Sequence, residues 1–157
     1  MDTPLSLEID DGCKLDNLVC EIDKKFNRYM EMGEHYEFLR KTFLPLQYFK
    51  KALKVDPDCC GDTFLKDELN KKINSLTESM IKLLIKKADR YYKIQKYNIS
   101  LFYFSNALSY IYSLDNYYDT YLPYKCEIMI KEINSILQTN NYIDEIHRDG
   151  IHFMNNI

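Results

Sequence analysis

Tryptophan is absent from the chain, and glycine and proline are scarce, four of each in 157 residues. So few backbone breakers exclude a fold built on many tight turns, such as a β-sandwich or barrel, and favour long helices with short connections. No glycine-rich phosphate loop, nucleophile elbow or paired-carboxylate motif is present, so no known catalytic machinery is legible. Neither sign of charge dominates. With a net charge of -3 and a pI near 5.6, no global field drives the chain onto nucleic acid or anionic lipid. The opening MDTPLSLEIDDG lacks the basic and apolar regions of a secretory signal.

Cysteine is present in an odd number, five, without a regular framework: Cys13, Cys20, Cys59, Cys60 and Cys126. The adjacent Cys59-Cys60 is neither a CxxC redox motif nor a zinc motif, which points to thiols kept reduced in a cytoplasmic or other intracellular compartment. One uncharged run, residues 97–114, reaches the length of a membrane-spanning helix. It also contains Asn98, Ser100, Ser105, Asn106, Ser109 and Ser113, so the expectation is a helix buried in protein and no membrane span.

What the chain does contain is globular: 46% apolar and 29% charged residues. The charge is split. Residues 1–70 carry 15 acidic and 10 basic side chains, net -5, and residues 71–157 carry 9 and 11, net +2. Residues 1–12 read as a flexible acidic arm, and 13–157 as a single helical domain.

Apolar spacing places a first helix over about 14–32, using Leu15, Leu18, Val19, Ile22, Phe26 and Met30, with Gly33 as its left-handed terminator. A second stretch covers about 34–55, in which Pro45 predicts a kink or a division into two helices near Phe43. Asp62 or Thr63 can cap a third pattern that runs from Leu65 to Tyr91 as one helix or two, since Ser75-Leu-Thr-Glu78 has the form of a capping box. Asn98 suits the N-cap of a fourth helix over 99–114, the candidate for the most buried element, with Ser105, Ser109 and Ser113 along one row. A fifth helix spans 121–137, with Pro123 in its first turn, and a last short one is possible over 142–153. No alternating strand pattern survives. The expectation is an all-α protein of five to six helices, an irregular bundle or a short stack of antiparallel hairpins.

The segment ADRYYKIQKYNISLFYFSNALSYIYSLD, residues 88–115, resembles the helix hairpins of tetratricopeptide and microtubule-interacting-and-trafficking domains. The shared skeleton is Ala88, Tyr91, Tyr92, Tyr97, Tyr103 and Ala107-Leu108. It also resembles an archaeal helical family of unknown function at Tyr110, Ile111, Leu114 and Asp115. Earlier, YFKKALKVDP, residues 48–57, is similar to the end of a tetratricopeptide second helix. These resemblances imply packed helical hairpins and, by analogy, a binding scaffold. No repeat period links the two segments.

Four basic residues, Lys82, Lys86, Arg90 and Lys93, fall at i, i+4, i+8 and i+11 on one face of the third helix. They read either as a stripe for RNA or an acidic partner, or as the solvated face of an amphipathic helix. Tyr110, Tyr112, Tyr117, Tyr118, Tyr121 and Tyr124 crowd 15 residues and read as a partner-binding surface or as a core edge. His35, His147 and His152 have no metal-ligand spacing, and the cysteines beside Asp58 and Asp62 show no activating cluster of cations. Arg148 and His152 resemble the Arg–His pair of HEPN-type helical ribonucleases, with a shorter spacing and Gly150 between them. The expected function is therefore a non-catalytic protein-interaction module, without cofactor or metal. An RNA-associated factor using the basic face stands as the alternative, and a small ribonuclease as a third reading.

Overall fold

Long amphipathic stretches with few breakers fold here into five α-helices, as shown by a computed structural model that describes residues 11–115, 121–138 and 153–157. The order is α1 (Asp11–Phe38), α2 (Phe43–Val55), a short 3-10 turn (Cys59–Gly61), α3 (Thr63–Lys93), α4 (Tyr97–Tyr112) and α5 (Tyr121–Leu137). Among the described residues there is no strand, and the protein is all-α. Helices pack in chain order. Contact is most extensive within the α1–α2 and α3–α4 hairpins, α5 covers α4, and α2 meets α3 more lightly. Most of the acidic arm expected over 1–12 lies outside the described residues, as does most of the helix expected over 142–153.

The first hairpin departs from the sequence expectation at Gly33, which sits inside α1 and does not end it. Its missing Cβ makes room for the Phe49 ring of α2. A Cβ built at Gly33 would lie 2.5 Å from Phe49 Cε1. The helix instead runs on to Phe38, and the left-handed residue that ends it is Arg40, with φ 56°. The Arg40 N–H donates to the Glu37 carbonyl at 2.8 Å and the Lys41 N–H to the Tyr36 carbonyl at 3.0 Å, the paired bonds of a Schellman ending. Residues 34–38 thus belong to α1, and the division expected near Phe43 falls at residues 39–42. Pro45 occupies the first turn of α2, where its absent N–H would have had no helical partner in any case.

α1 has 28 residues and α2 has 13. At 1.5 Å per residue that is about 42 Å against about 20 Å. The apolar stripe of α1 is therefore buried only where α2 reaches it. Phe26 is enclosed, whereas Leu15, Leu18 and Val19 are 61%, 54% and 50% exposed.

The α2–α3 connection turns sharply through three consecutive left-handed residues, Cys59, Cys60 and Gly61, with φ of 50°, 57° and 74°. α3 is then one continuous helix of 31 residues, N-capped by the Asp62 carboxylate, which accepts from the Leu65 N–H at 3.0 Å. The capping-box residues within it start nothing. Thr77 is buried and turns its hydroxyl back to the Ile73 carbonyl at 2.7 Å. α3 closes with a second Schellman ending, on Gln95 at φ 61°, where Gln95 N–H donates to Tyr92 and Lys96 N–H to Tyr91, both at 3.0 Å. That turn feeds directly into α4, so the N-cap is Lys96 and not Asn98.

Ala88 of α3 and Ala107 of α4 are fully buried. Buried Ser100 spans the interface by donating its hydroxyl to the Ala88 carbonyl at 2.9 Å. Tyr91 stacks on buried Tyr103 at 5.7 Å, and Phe104, next to Tyr103 in sequence, is enclosed. Lying between α3 and α5, α4 buries Ile99, Ser100, Tyr103, Phe104, Ala107 and Ile111. The row of Ser105, Ser109 and Ser113 is left exposed as a smooth strip.

Residues 153–157 tie the hairpins together. The Ile157 carbonyl accepts from the Thr42 N–H, and the Asn156 carbonyl accepts from Lys41 Nζ at 3.1 Å. The Phe153 ring meets Tyr103 edge-on at 5.1 Å, and Lys87 Nζ sits 4.5 Å from its centroid. Among the described residues, no helix is long and apolar enough to cross a membrane.

Candidate functional site

Helical spacing sets Lys82, Lys86, Arg90 and Lys93 on the face of α3 that points away from buried Met80, Leu84 and Ala88. All four side chains are exposed, and together with Ile85, Asp89 and Leu122 they line one groove of about 510 Å³. Ile85 is buried and Leu122 of α5 half-buried, so the groove has apolar surface between its cations. Asp89 does not neutralise the row. Its carboxylate is taken by Lys125 Nζ of α5 at 2.7 Å, a partly buried pair that joins α5 to α3. Among the described residues none of the four row cations is in an ion pair, and like charges one helical turn apart repel. The arrangement suits an anionic group that relieves that repulsion while an apolar side chain reaches Ile85 or Leu122.

The tyrosines expected as a partner surface are dispersed in environment. Tyr110 is half-buried, and burial raises its phenol above the ordinary value. Its ring lies 5.3 Å from Lys50 Nζ of α2, whose pKa burial lowers. Tyr112, two positions on, is exposed on the other side of α4 and donates its hydroxyl to Glu127 of α5, a bond that raises the phenol pKa. Tyr121 and Tyr124 are exposed at the start of α5. Tyr117 and Tyr118 lie outside the described residues.

The cysteine turn assembles a cluster with Asp23 of α1, a partner that sequence proximity does not indicate. Cys60 Sγ donates to Asp23 Oδ1 of α1 at 3.1 Å, and the Cys60 N–H donates to Asp56 Oδ2 at 2.6 Å. The three potential ligand atoms of Asp23, Asp56 and Cys60 lie within 4.8 Å of one another, the grouping among the described residues with the geometry to hold a cation. Asp58 and Asp62, the neighbours that sequence proximity singles out, are engaged elsewhere, with Lys66 at 3.6 Å and at the α3 cap. Hydrogen bonds to Asp23 and Asp56 push the Cys60 thiol up to about 12. Burial alone would raise the Asp56 carboxyl, but the Cys60 thiol and the N–H groups of Cys60, Asp58 and Cys59 outweigh it and hold the carboxyl low. Burial raises buried Cys59 and pushes buried Cys126 up to about 11. Thiols held protonated in this way are the reverse of an activated nucleophile.

His35 is exposed, its ring centroid 5.4 Å from that of Tyr36 in a T-shaped pair, and His147, Arg148 and His152 lie outside the described residues. A second, smaller cleft of about 340 Å³ between α1 and α2 is lined by Lys25, Arg28, Tyr29, Met32, Tyr48 and Lys51. There Tyr48 stacks on Tyr36 at 5.6 Å and carries Lys51 Nζ at 5.2 Å from its centroid. Its residues come from separate stretches of the chain, so spacing within either helix does not reveal it. Compared with known proteins, the chain matches no family model, no curated protein and no solved structure.

Proposed function

We propose that this chain is a non-catalytic helical interaction module that takes an acidic, partly apolar protein segment into the groove between α3 and α5. The observation that supports the reading is the coincidence of four cations without an ion-pair partner among the described residues, Lys82, Lys86, Arg90 and Lys93, with the apolar surface of Ile85 and Leu122 in one concavity. A surface meant only to be solvated gains nothing from a concave apolar floor. A partner with carboxylates beside leucine-like side chains uses both halves. The Lys125–Asp89 ion pair joins the two walls of the groove, and packed helices of this kind are in keeping with the scaffold analogy. Exposed Cys20 and Cys60, neither of them in a disulfide, support a reducing, intracellular setting.

RNA is the competing occupant, because a row of cations also tracks phosphates. Among the described residues the groove lining contains no aromatic side chain on which a base could stack, which favours the protein segment. Fluorescence anisotropy separates the two, using an acidic amphipathic peptide and a single-stranded RNA as probes across a salt series. Replacing Lys82, Lys86, Arg90 and Lys93 together by Glu is expected to weaken peptide binding at least about tenfold. Peptide affinity unchanged by that replacement, or RNA bound more tightly than the peptide at physiological salt, overturns the reading.

A further inference from the structure

We infer that the acidic, partly apolar segment taken by this groove is the N-terminal half of α1 from a second copy of the chain, an inference that rests on the groove reading above. Leu15, Leu18, Val19 and Ile22 recur at i, i+3, i+4 and i+7 and form one apolar stripe. Three of them are at least half exposed, because α2 is too short to reach them and nothing else among the described residues covers them. At 100° per residue exposed Asp16 falls on one flank of the stripe and exposed Glu21 on the other, where exposed Lys25 follows one turn on, beyond Ile22. The stripe therefore presents apolar side chains bordered by carboxylates.

The groove presents the complement. Its apolar residues, Ile85 and Leu122, are bordered by Lys82, Lys86, Arg90 and Lys93, which have no acidic partner among the described residues. Lengths agree as well. Leu15 to Ile22 spans about 10 Å along its axis and Lys82 to Lys93 about 16 Å, so the stripe fits within the row. The wider charge distribution runs the same way, net -5 over residues 1–70 and net +2 over 71–157. Docking removes two costs together: the exposure of Leu15, Leu18 and Val19, and the mutual repulsion of the row. The contact is heterologous, arm to groove, so each copy carries both halves of it.

Sedimentation equilibrium of the full chain tests this, with two variants that alter only exposed side chains. The arm variant carries Leu18→Lys and Val19→Lys, and the groove variant carries Lys82→Glu, Lys86→Glu, Arg90→Glu and Lys93→Glu. Wild type is expected to show a mass that rises with concentration at about 0.05 M salt and falls toward the monomer at about 0.5 M, where screening shortens to a few ångströms. Each variant alone is expected to remain monomeric with unchanged helical circular dichroism. Their equimolar mixture is expected to associate at least about tenfold more tightly than either alone, since it holds one intact arm and one intact groove. A mixture no tighter than its components, or association that survives in the groove variant, overturns the inference. So does a wild-type monomer at about 0.1 mM in low salt, a concentration that populates even weak complexes. If that monomer still binds the acidic peptide, the proposed function stands and only the identity of the partner falls. If it binds no peptide, both fall.

Discussion

The two hairpins end their first helices alike and bury them differently. α1 and α3 both finish on a Schellman turn whose left-handed residue is not glycine, Arg40 in one and Gln95 in the other. Both helices are also far longer than the partner that follows. The first half of α3 is met by α2, so Leu69 and Ile73 stay buried ahead of the region that α4 covers. Among the described residues the first half of α1 has no such second partner, and Leu15, Leu18 and Val19 are exposed although their spacing is as regular as that of Leu69, Ile73 and Leu76. Periodicity specifies a face, and a neighbour decides whether the face becomes core. The interfaces differ in grain too. α3 and α4 meet closely at small residues on both sides, Ala88, Ser100 and Ala107, whereas α1 and α2 combine one notch, Gly33, filled by the Phe49 ring, with the stacked rings of Tyr36 and Tyr48.

The strongest way to test that contrast is Phe104→Ala, which empties a fully buried site in the helix between α3 and α5. A loss of about 3–5 kcal/mol in chemical denaturation is expected, against less than about 0.5 kcal/mol for Leu18→Ala on the exposed stripe. Equal losses would mean that the α1 stripe is covered in the folded monomer. Gly33→Ala comes next. Alanine is the better helix former by about 1 kcal/mol, yet its methyl must displace the enclosed Phe49 ring, so a net loss of about 1–3 kcal/mol is expected. A rise in melting temperature would show that the notch is loose.

The likeness of the two turns can be sharpened with Arg40→Gly and Gln95→Gly, each placing glycine where φ is already positive. Each is expected to stabilise by about 0.5–1 kcal/mol, with no change in helix content by circular dichroism. The mildest effect concerns the Cys60 turn that joins the hairpins. A thiol whose folded pKa is raised from 9.0 to about 12 favours the folded state fully below pH 9 and loses that contribution as pH rises from 9 to 12. Cys60→Ala should remove this part of the alkaline loss, read as a smaller drop in denaturation midpoint between pH 8 and pH 11. At pH 8, iodoacetamide should label exposed Cys20 before exposed Cys60.

The helices themselves were legible. The expected fifth helix coincides with Tyr121–Leu137, the all-α class follows from scarce glycine and proline, and α3 and α4 lie within a few residues of their expected bounds. The basic row was legible as a row, because i, i+4, i+8 spacing is a property of one helix. Misreadings cluster where a residue's meaning depends on a distant one. Gly33 reads as a terminator until Phe49 fills its notch, and Asn98 reads as a cap until the Schellman turn at Gln95 starts α4 early. The groove was not legible, since Leu122 comes from α5, 29 positions after Lys93. Nor was the pairing of Cys60 with Asp23, which is 37 positions away.

By itself the sequence determined the secondary structure, the faces of each helix and the division of charge between the two halves of the chain. All of these arise from backbone propensity and side-chain period, which act over a few residues. Tertiary structure alone decided which apolar faces are core, which thiol sits between carboxylates and which cations surround a cavity. Those outcomes depend on what lies across an interface, and burial, desolvation and ion pairing belong to the pair and not to either residue.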